Sequence, residues 1–257
     1  MKIKTKDDFE LDISYHNTDK AKGIIVFTHG ITVDKDNEGI FVRADKKLQT
    51  FGFSTLRFDF RGHGQSRGES EKDVTISNEL RDLGAIIDFV RKDRYVWIGL
   101  AGASFGGSIA ALFAGQHPQL IQKLFLANPV LDYEKGFLRP TTPWAKEHFE
   151  NAFERIDREG FITIGSRQFK VGRKLFEEMS SYHPSEALKT YMNPLFIVHG
   201  DKDNKVAFQD TFACFQNLPN KQKYFEKIEG SEHGFHEEPF ETQVTKIIVN
   251  FFTKDYS

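Results

Sequence analysis

Short apolar runs alternate along the chain with longer stretches whose apolar residues recur every three or four positions. Residues 23–30 (GIIVFTHG), 54–62 (STLRFDFRG), 95–104 (YVWIGLAGAS), 123–129 (KLFLANP) and 193–200 (NPLFIVHG) are rich in β-branched or aromatic side chains and run into Gly, Asn or Pro. They read as buried strands, the parallel members of one sheet. Between them, residues 38–52, 73–93, 105–118, 207–219 and 240–254 carry the helical spacing. MKIKT and LDISYH at the start read as an antiparallel pair and QKYFEKIEG as a last strand, about eight strands in all. This alternation predicts an α/β architecture with helices on both faces of the sheet. The rhythm breaks over 131–185, where two or three amphipathic helices surround a hairpin, FITIGSRQFKV, with Gly165-Ser166 as a two-residue type II′ turn.

With 39% hydrophobic residues, 257 residues suffice for one sizeable core. The expected organisation is a single domain over 1–257 with an inserted cap over 131–185. The net charge of -2 is spread along the chain. That argues against nucleic acid or an anionic membrane and for a small-molecule partner; a homodimer stays open. The single cysteine, Cys214, lies on a predicted helix face and reads as a structural thiol rather than a nucleophile. The first residues lack the roughly 7–15-residue apolar core of a signal peptide, and no apolar run reaches the ~18 residues of a membrane span, so a cytoplasmic location is expected.

Residues 99–110 (GLAGASFGGSIA) place Ser104 between Gly102 and Gly106. G-x-S-x-G alone arises often by chance. Here it follows a predicted buried strand and opens a predicted helix, the setting of a nucleophile elbow, where Cβ atoms at the flanking positions would collide. A serine hydroxyl is a weak nucleophile at neutral pH and needs a base to take its proton and a third group to orient that base. Segments after later strands supply both in the order Ser, Asp, His. DKDNKV offers Asp201 and Asp203; SEHGFHEE offers His233 and His236.

With these residues the chain resembles the serine hydrolases of the α/β-hydrolase superfamily. The superfamily pattern H-G-x-x-D-x-x-V is matched by His199, Gly200, Asp203 and Val206, and G-x-x-H-G-F by Gly230, His233 and Phe235. The resemblance implies Asp203 as the acid and His233 as the base, with Asp201 capping its loop and His236 in a surface loop. It implies an oxyanion hole made by the backbone N–H groups of Phe105 and of Ile31 in THGIT. RFDFRGHGQSRG (57–68) is a further match, a tight loop pinned by Asp59 and Arg61, with His29 and His63 as loop organisers. The implied fold is a mostly parallel eight-stranded sheet with the cap inserted after strand six.

Competing chemistries fit less well. Gly62-x-Gly64 is followed by Gly68, one residue too late for a dinucleotide loop. DKDNKV puts lysine at the fifth position of a calcium loop and lacks its glycine and its final glutamate. His233 and His236 lie in loop sequence, without the helix that would bring them to one metal. No cofactor or metal is expected, and activity should rise with deprotonation of one histidine.

A serine nucleophile argues against epoxide hydrolases and haloalkane dehalogenases, which use aspartate. Among serine members the chain most resembles bacterial cinnamoyl or feruloyl esterases and related carboxylesterases, which implies hydrolysis of small acyl, aryl or hydroxycinnamoyl esters. Within the cap, Phe137, Trp144, Phe149, Phe153, Phe161, Phe169 and Phe176 are candidates to cover the substrate, with ordinary packing as the rival role. Trp144, Phe161, Phe169 and, at the cap's root, Tyr133 are the substrate-contact expectations, with Glu134 beside Tyr133 as a further candidate. Two other readings remain open: a serine aminopeptidase or acyl-peptidase of the same fold, and a non-catalytic ligand-binding member.

Overall fold

The computed structural model describes residues 1–93 and 95–254. Strands β1 (Lys2–Lys4) and β2 (Glu10–His16) pair antiparallel, and β2 continues antiparallel onto β4 (Ser54–Phe58). From β4 the sheet is parallel, through β3 (Ile24–Thr28), β5 (Ile98–Ala103), β6 (Lys123–Ala127), β9 (Leu195–Gly200) and β10 (Lys223–Ile228). The eight-stranded sheet of mostly parallel strands is the one predicted, and each of the five apolar runs contains its strand. β3, β5 and β6 are buried at every residue, which is why they read as continuous apolar runs rather than as alternating ones.

Successive residues of β3 point to opposite faces. Ile24 and Val26 join a core with Leu83 and Ile86 of α3 (Ile76–Lys92) and Ile109 of α4 (Ser104–Gln116). Ile25 and Phe27 join a second core with Phe41 and Leu48 of α1 (Gly39–Thr50) and Ile248 and Phe252 of α10 (Phe240–Thr253). A short α2 (Ser70–Asp73) precedes α3, and α9 (Phe208–Gln216) packs beside β9. Neither α1 nor α4 has a side-chain cap. A cap contributes ~1 kcal/mol, whereas each buried Ile, Leu or Phe contributes roughly 1.5–3 kcal/mol. Packing against the sheet therefore fixes these helices. Cys214 is half-buried on α9 against the first core, where burial pushes its thiol up to about 11.

The segment between β6 and β9 holds a π-helical turn (Glu134–Leu138), α5 (Pro143–Phe149), α6 (Ala152–Glu159), the hairpin β7 (Ile162–Ile164) and β8 (Phe169–Val171), α7 (Arg173–Met179) and α8 (Pro184–Ala187). It is tied down where the Ser77 backbone N–H and hydroxyl donate to the Glu178 carboxylate, at 2.8 and 2.6 Å. The hairpin departs from the expected two-residue turn. Ile164 pairs with Phe169, so the loop has four residues, Gly165 to Gln168, with positive φ at both ends (+65° and +53°). Arg167 thus leaves the strand and stands at the loop.

From β3 the chain passes to β4 on one side, then returns to β5 on the other. The loops leaving β3 and β5 diverge there and open a crevice at the carboxyl ends of the strands, the usual place for a ligand in such a sheet.

Candidate active site

Ser104 stands in that crevice, at the junction of β5 and α4, with φ at +52°. A non-glycine residue holds this left-handed conformation only where its surroundings enforce it. Here the enforcement is steric. A Cβ on Gly106 would lie 2.2 Å from the His29 carbonyl oxygen and 2.6 Å from that of Thr28, and one on Gly102 would lie 2.7 Å from the Gly106 oxygen. The Thr28 hydroxyl donates to the Gly106 carbonyl at 2.9 Å, so β3 grips the first turn of α4.

The Ser104 hydroxyl donates to His233 Nε2 at 3.0 Å, and His233 Nδ1–H donates to Asp203 Oδ2 at 2.7 Å. Asp203 follows β9 and His233 follows β10, so adjacent strands deliver them side by side. The other Asp203 oxygen, Oδ1, accepts the N–H groups of Lys205 and Val206, each at 2.9 Å. Burial alone would raise the Asp203 pKa. The charge of His233 and the hydrogen bonds from His199 and His233 outweigh it and hold the carboxyl well below the usual range. Asp201 is turned away, accepting the Gly230 N–H at 2.7 Å.

Ile31 and Phe105 both border the space in front of Ser104. Phe105 is in the first turn of α4, where backbone N–H groups have no intrahelical partner. The peptide carrying the Ile31 N–H is oriented by its other end, because His29 Nδ1–H donates to the Gly30 carbonyl at 2.9 Å while His29 Nε2 accepts the Phe60 N–H at 3.2 Å. In a trans peptide the N–H points opposite to the carbonyl. These bonds suit a neutral ring, and burial lowers the His29 pKa to about 4. His63 Nε2–H donates to the Ile31 carbonyl at 2.8 Å, and burial lowers its pKa to about 3. Asp59 accepts from the Lys35 and Gln65 N–H groups, both at 2.8 Å, and Arg61 forks onto Asp82.

A cavity of about 420 Å³ opens over Ser104 and His233. Of the four side chains expected to meet substrate, Trp144 lines it and three do not. Tyr133 is buried beside α4, its hydroxyl donating to Ser108 Oγ at 2.7 Å, and burial raises its pKa far above the phenol range. Phe169 stacks on His63 with ring centroids 4.6 Å apart. Phe161 lies under the Lys170 ammonium, 4.4 Å from its ring centre. Each satisfies a packing need of the hairpin or of α4 instead. Glu134 pairs with Arg139 at 2.8 Å. Phe137 and Phe149 do line the cavity and pack on each other at 4.5 Å, whereas Phe176 backs them and Phe153 packs on Phe176.

Polar residues that the sequence pattern does not mark complete the lining. Glu38, just before α1, is buried and accepts the Gly30 N–H at 3.1 Å; burial raises its pKa. Lys205 and Arg167 also border the cavity, and His236, exposed in a loop as expected, reaches its lining. Lys205 sits within DKDNKV, two residues from Asp203, its one signal in the sequence.

Comparison with known proteins places this geometry in a family. Residues 19–160, more than half of the chain, match the family described as "Serine aminopeptidase, S33". The chain is 23% identical over 237 residues to a putative esterase/lipase of Haemophilus influenzae, covering 84% of this chain and 78% of that one. It is 24% identical over 238 residues to the monoglyceride lipase of Rattus norvegicus, covering 84% and 77%. The solved structure of Est1E from Butyrivibrio proteoclasticus with bound ferulic acid superposes with a TM-score of 0.83 at 22% identity, covering 98% and 97% of the two chains. Among the described residues no helix is long and apolar enough to cross a membrane. The chain belongs to the serine aminopeptidase S33 family and has the α/β-hydrolase fold.

Proposed function

We propose that the protein is a serine hydrolase that cleaves carboxylic esters of small acyl or aryl acids through an acyl-enzyme. The observation that carries this reading is the unbroken run of hydrogen bonds from Asp203 through His233 to Ser104 at the floor of the cavity. Ser104 Oγ attacks the ester carbonyl as its proton passes to His233 Nε2, and the N–H groups of Ile31 and Phe105 receive the developing oxyanion. Collapse breaks the bond to the alcohol oxygen, which leaves with the proton from His233. Water then attacks the acyl-Ser104 ester with His233 again as base, releasing the acid and restoring the serine. Asp203 remains ionised throughout and stabilises the imidazolium.

The substrate class is supported by the cavity's size and walls: about 420 Å³, with Trp144, Phe149, Val130 and Val206 among its lining, suits a short acyl or single-ring aromatic acid. The esterase and lipase names of the relatives point the same way. Ester panels of increasing acyl length, with hydroxycinnamates included, test it: short and aromatic esters should be cleaved fastest. Ser104→Ala should lower kcat by roughly 10³-fold or more; full residual activity would refute the reading. Faster cleavage of aminoacyl arylamides than of esters would select a peptidase instead, and failure of a fluorophosphonate to label Ser104 would select a non-catalytic role.

A further inference from the structure

The rim of the cavity carries charge that ester cleavage itself does not use. Among its lining residues the one carboxylate is Glu38, buried at the floor beside Gly30, while Arg167, Lys205 and His236 are the cationic or basic groups beyond the His233 relay. Arg167 is exposed on the hairpin loop and Lys205 is half-buried. The Lys205 ammonium lies 5.2 Å from the centre of the Trp144 ring, and among the described residues no carboxylate pairs with it. Arg167 Nη1 is 3.6 Å from Asp34 Oδ2, but both Asp34 oxygens already accept Asn37 Nδ2–H at 2.6 Å. That contact steers the guanidinium while leaving most of its five donors for another partner. The field is felt locally: the His236 ring is held below the ordinary imidazole range by partial burial and then by the charges of His233, Lys205 and Arg167.

We propose that Arg167 and Lys205 receive a carboxylate at the far end of the substrate, so that the protein prefers esters carrying a free carboxylate over neutral esters of the same size. The inference rests on the ester-cleaving reading of Ser104 and names the substrate class of that site. A planar carboxylate matches the fork of a guanidinium, and a half-buried ammonium on an aromatic wall adds charge where water competes less. Each such charge-assisted contact favours the anion on the order of tenfold.

Two matched pairs test it: monomethyl adipate against methyl heptanoate, with the charge on the acyl side, and 4-(butyryloxy)benzoate against 4-methylphenyl butyrate, with the charge on the alcohol side. In at least one pair kcat/KM for the anion should exceed that of its neutral partner by tenfold or more. The ratio should fall with added salt and drop at least tenfold in the Arg167→Gln/Lys205→Met double variant. Arg167→Lys and Lys205→Arg should keep most of it. A ratio at or below one in both pairs, or one unchanged in the double variant, overturns the proposal. Failure of the ester-cleaving reading is distinguished by binding to the Ser104→Ala protein, followed by NMR titration. Tighter binding of the anionic member that is lost in the double variant supports the proposal even if no ester is cleaved, and equal binding overturns it.

Discussion

Replacing Asp203 by asparagine should disable the protein by reversing one imidazole proton. Asp203 Oδ1 accepts two backbone N–H groups, those of Lys205 and Val206, so an asparagine must keep its carbonyl oxygen there or leave two buried donors facing an amide N–H₂. Its Nδ2 then occupies the place of Oδ2, 2.7 Å from His233 Nδ1. Two donors cannot face each other, so Nδ1 becomes the acceptor and the ring proton moves to Nε2. In the proposed mechanism that atom takes the Ser104 proton, 3.0 Å away. The wrong tautomer costs about 10⁴ in kcat, or roughly 5.5 kcal/mol, in a triad of this kind. The isosteric Asp203→Asn should therefore be no more active than Asp203→Ala, which leaves the tautomer free. Steady-state hydrolysis of p-nitrophenyl butyrate measures both, with Asp201→Asn as a control expected within about threefold of the parent, because its amide oxygen can still accept the Gly230 N–H. An Asp203→Asn protein within tenfold of the parent, or well above Asp203→Ala, would refute the reasoning.

Other outcomes follow from the same geometry. Gly106→Ala must push backbone oxygens that lie 2.2 and 2.6 Å from the new methyl, so it should lower unfolding free energy by about 1–3 kcal/mol or more and slow fluorophosphonate labelling of Ser104; a urea melt unchanged from the parent would contradict this. His29 and His63, with folded pKa values of about 4 and about 3, take up protons only after the unfolded chain has done so near ~6.5. Stability is therefore fully present above about 6.5 and is lost as pH falls through that value toward 4, by several kcal/mol for the two rings together. Urea midpoints that stay flat from pH 7 to 4.5 would contradict buried neutral imidazoles. Asp203, depressed in the folded state, contributes stability above about pH 3.9 that is lost on further acidification; Asp203→Asn should flatten that acid limb and leave the histidine limb in place.

How far the sequence reveals this protein depends on what each part must satisfy. Ile24–Thr28 and Ile98–Ala103 are covered on both faces, so their strands read directly as unbroken apolar runs. Ser104 was legible because its backbone tolerates almost nothing but glycine two residues to either side, and chain order then left two acids and two histidines to choose between. The hairpin loop differs from the expected turn because Gly165-Ser166 satisfies the composition of a two-residue turn, while the pairing of Ile164 with Phe169 goes with packing of β8 against α2 and His63. That shift of register is what frees Arg167. Tyr133, Phe161 and Phe169 were indistinguishable from Trp144 by residue type; only the Ser108 hydroxyl, the Lys170 ammonium and the His63 ring decide that they pack rather than line the cavity. Lys205 lies in a loop with no periodicity to expose it, and Glu38 opens a helical stretch where a polar residue is ordinary; their importance arises from where β3 and β9 end.

Ester cleavage as proposed requires Ser104 to become acylated. Intact-protein mass spectrometry during rapid mixing with p-nitrophenyl butyrate, followed by peptide mapping, tests this directly. A butyryl adduct on Ser104 that forms with a burst of p-nitrophenol, accumulates when deacylation is slowed at low pH, and is absent from Ser104→Ala is the predicted result. Turnover with Ser104 unmodified throughout, or an adduct located on another residue, would contradict it.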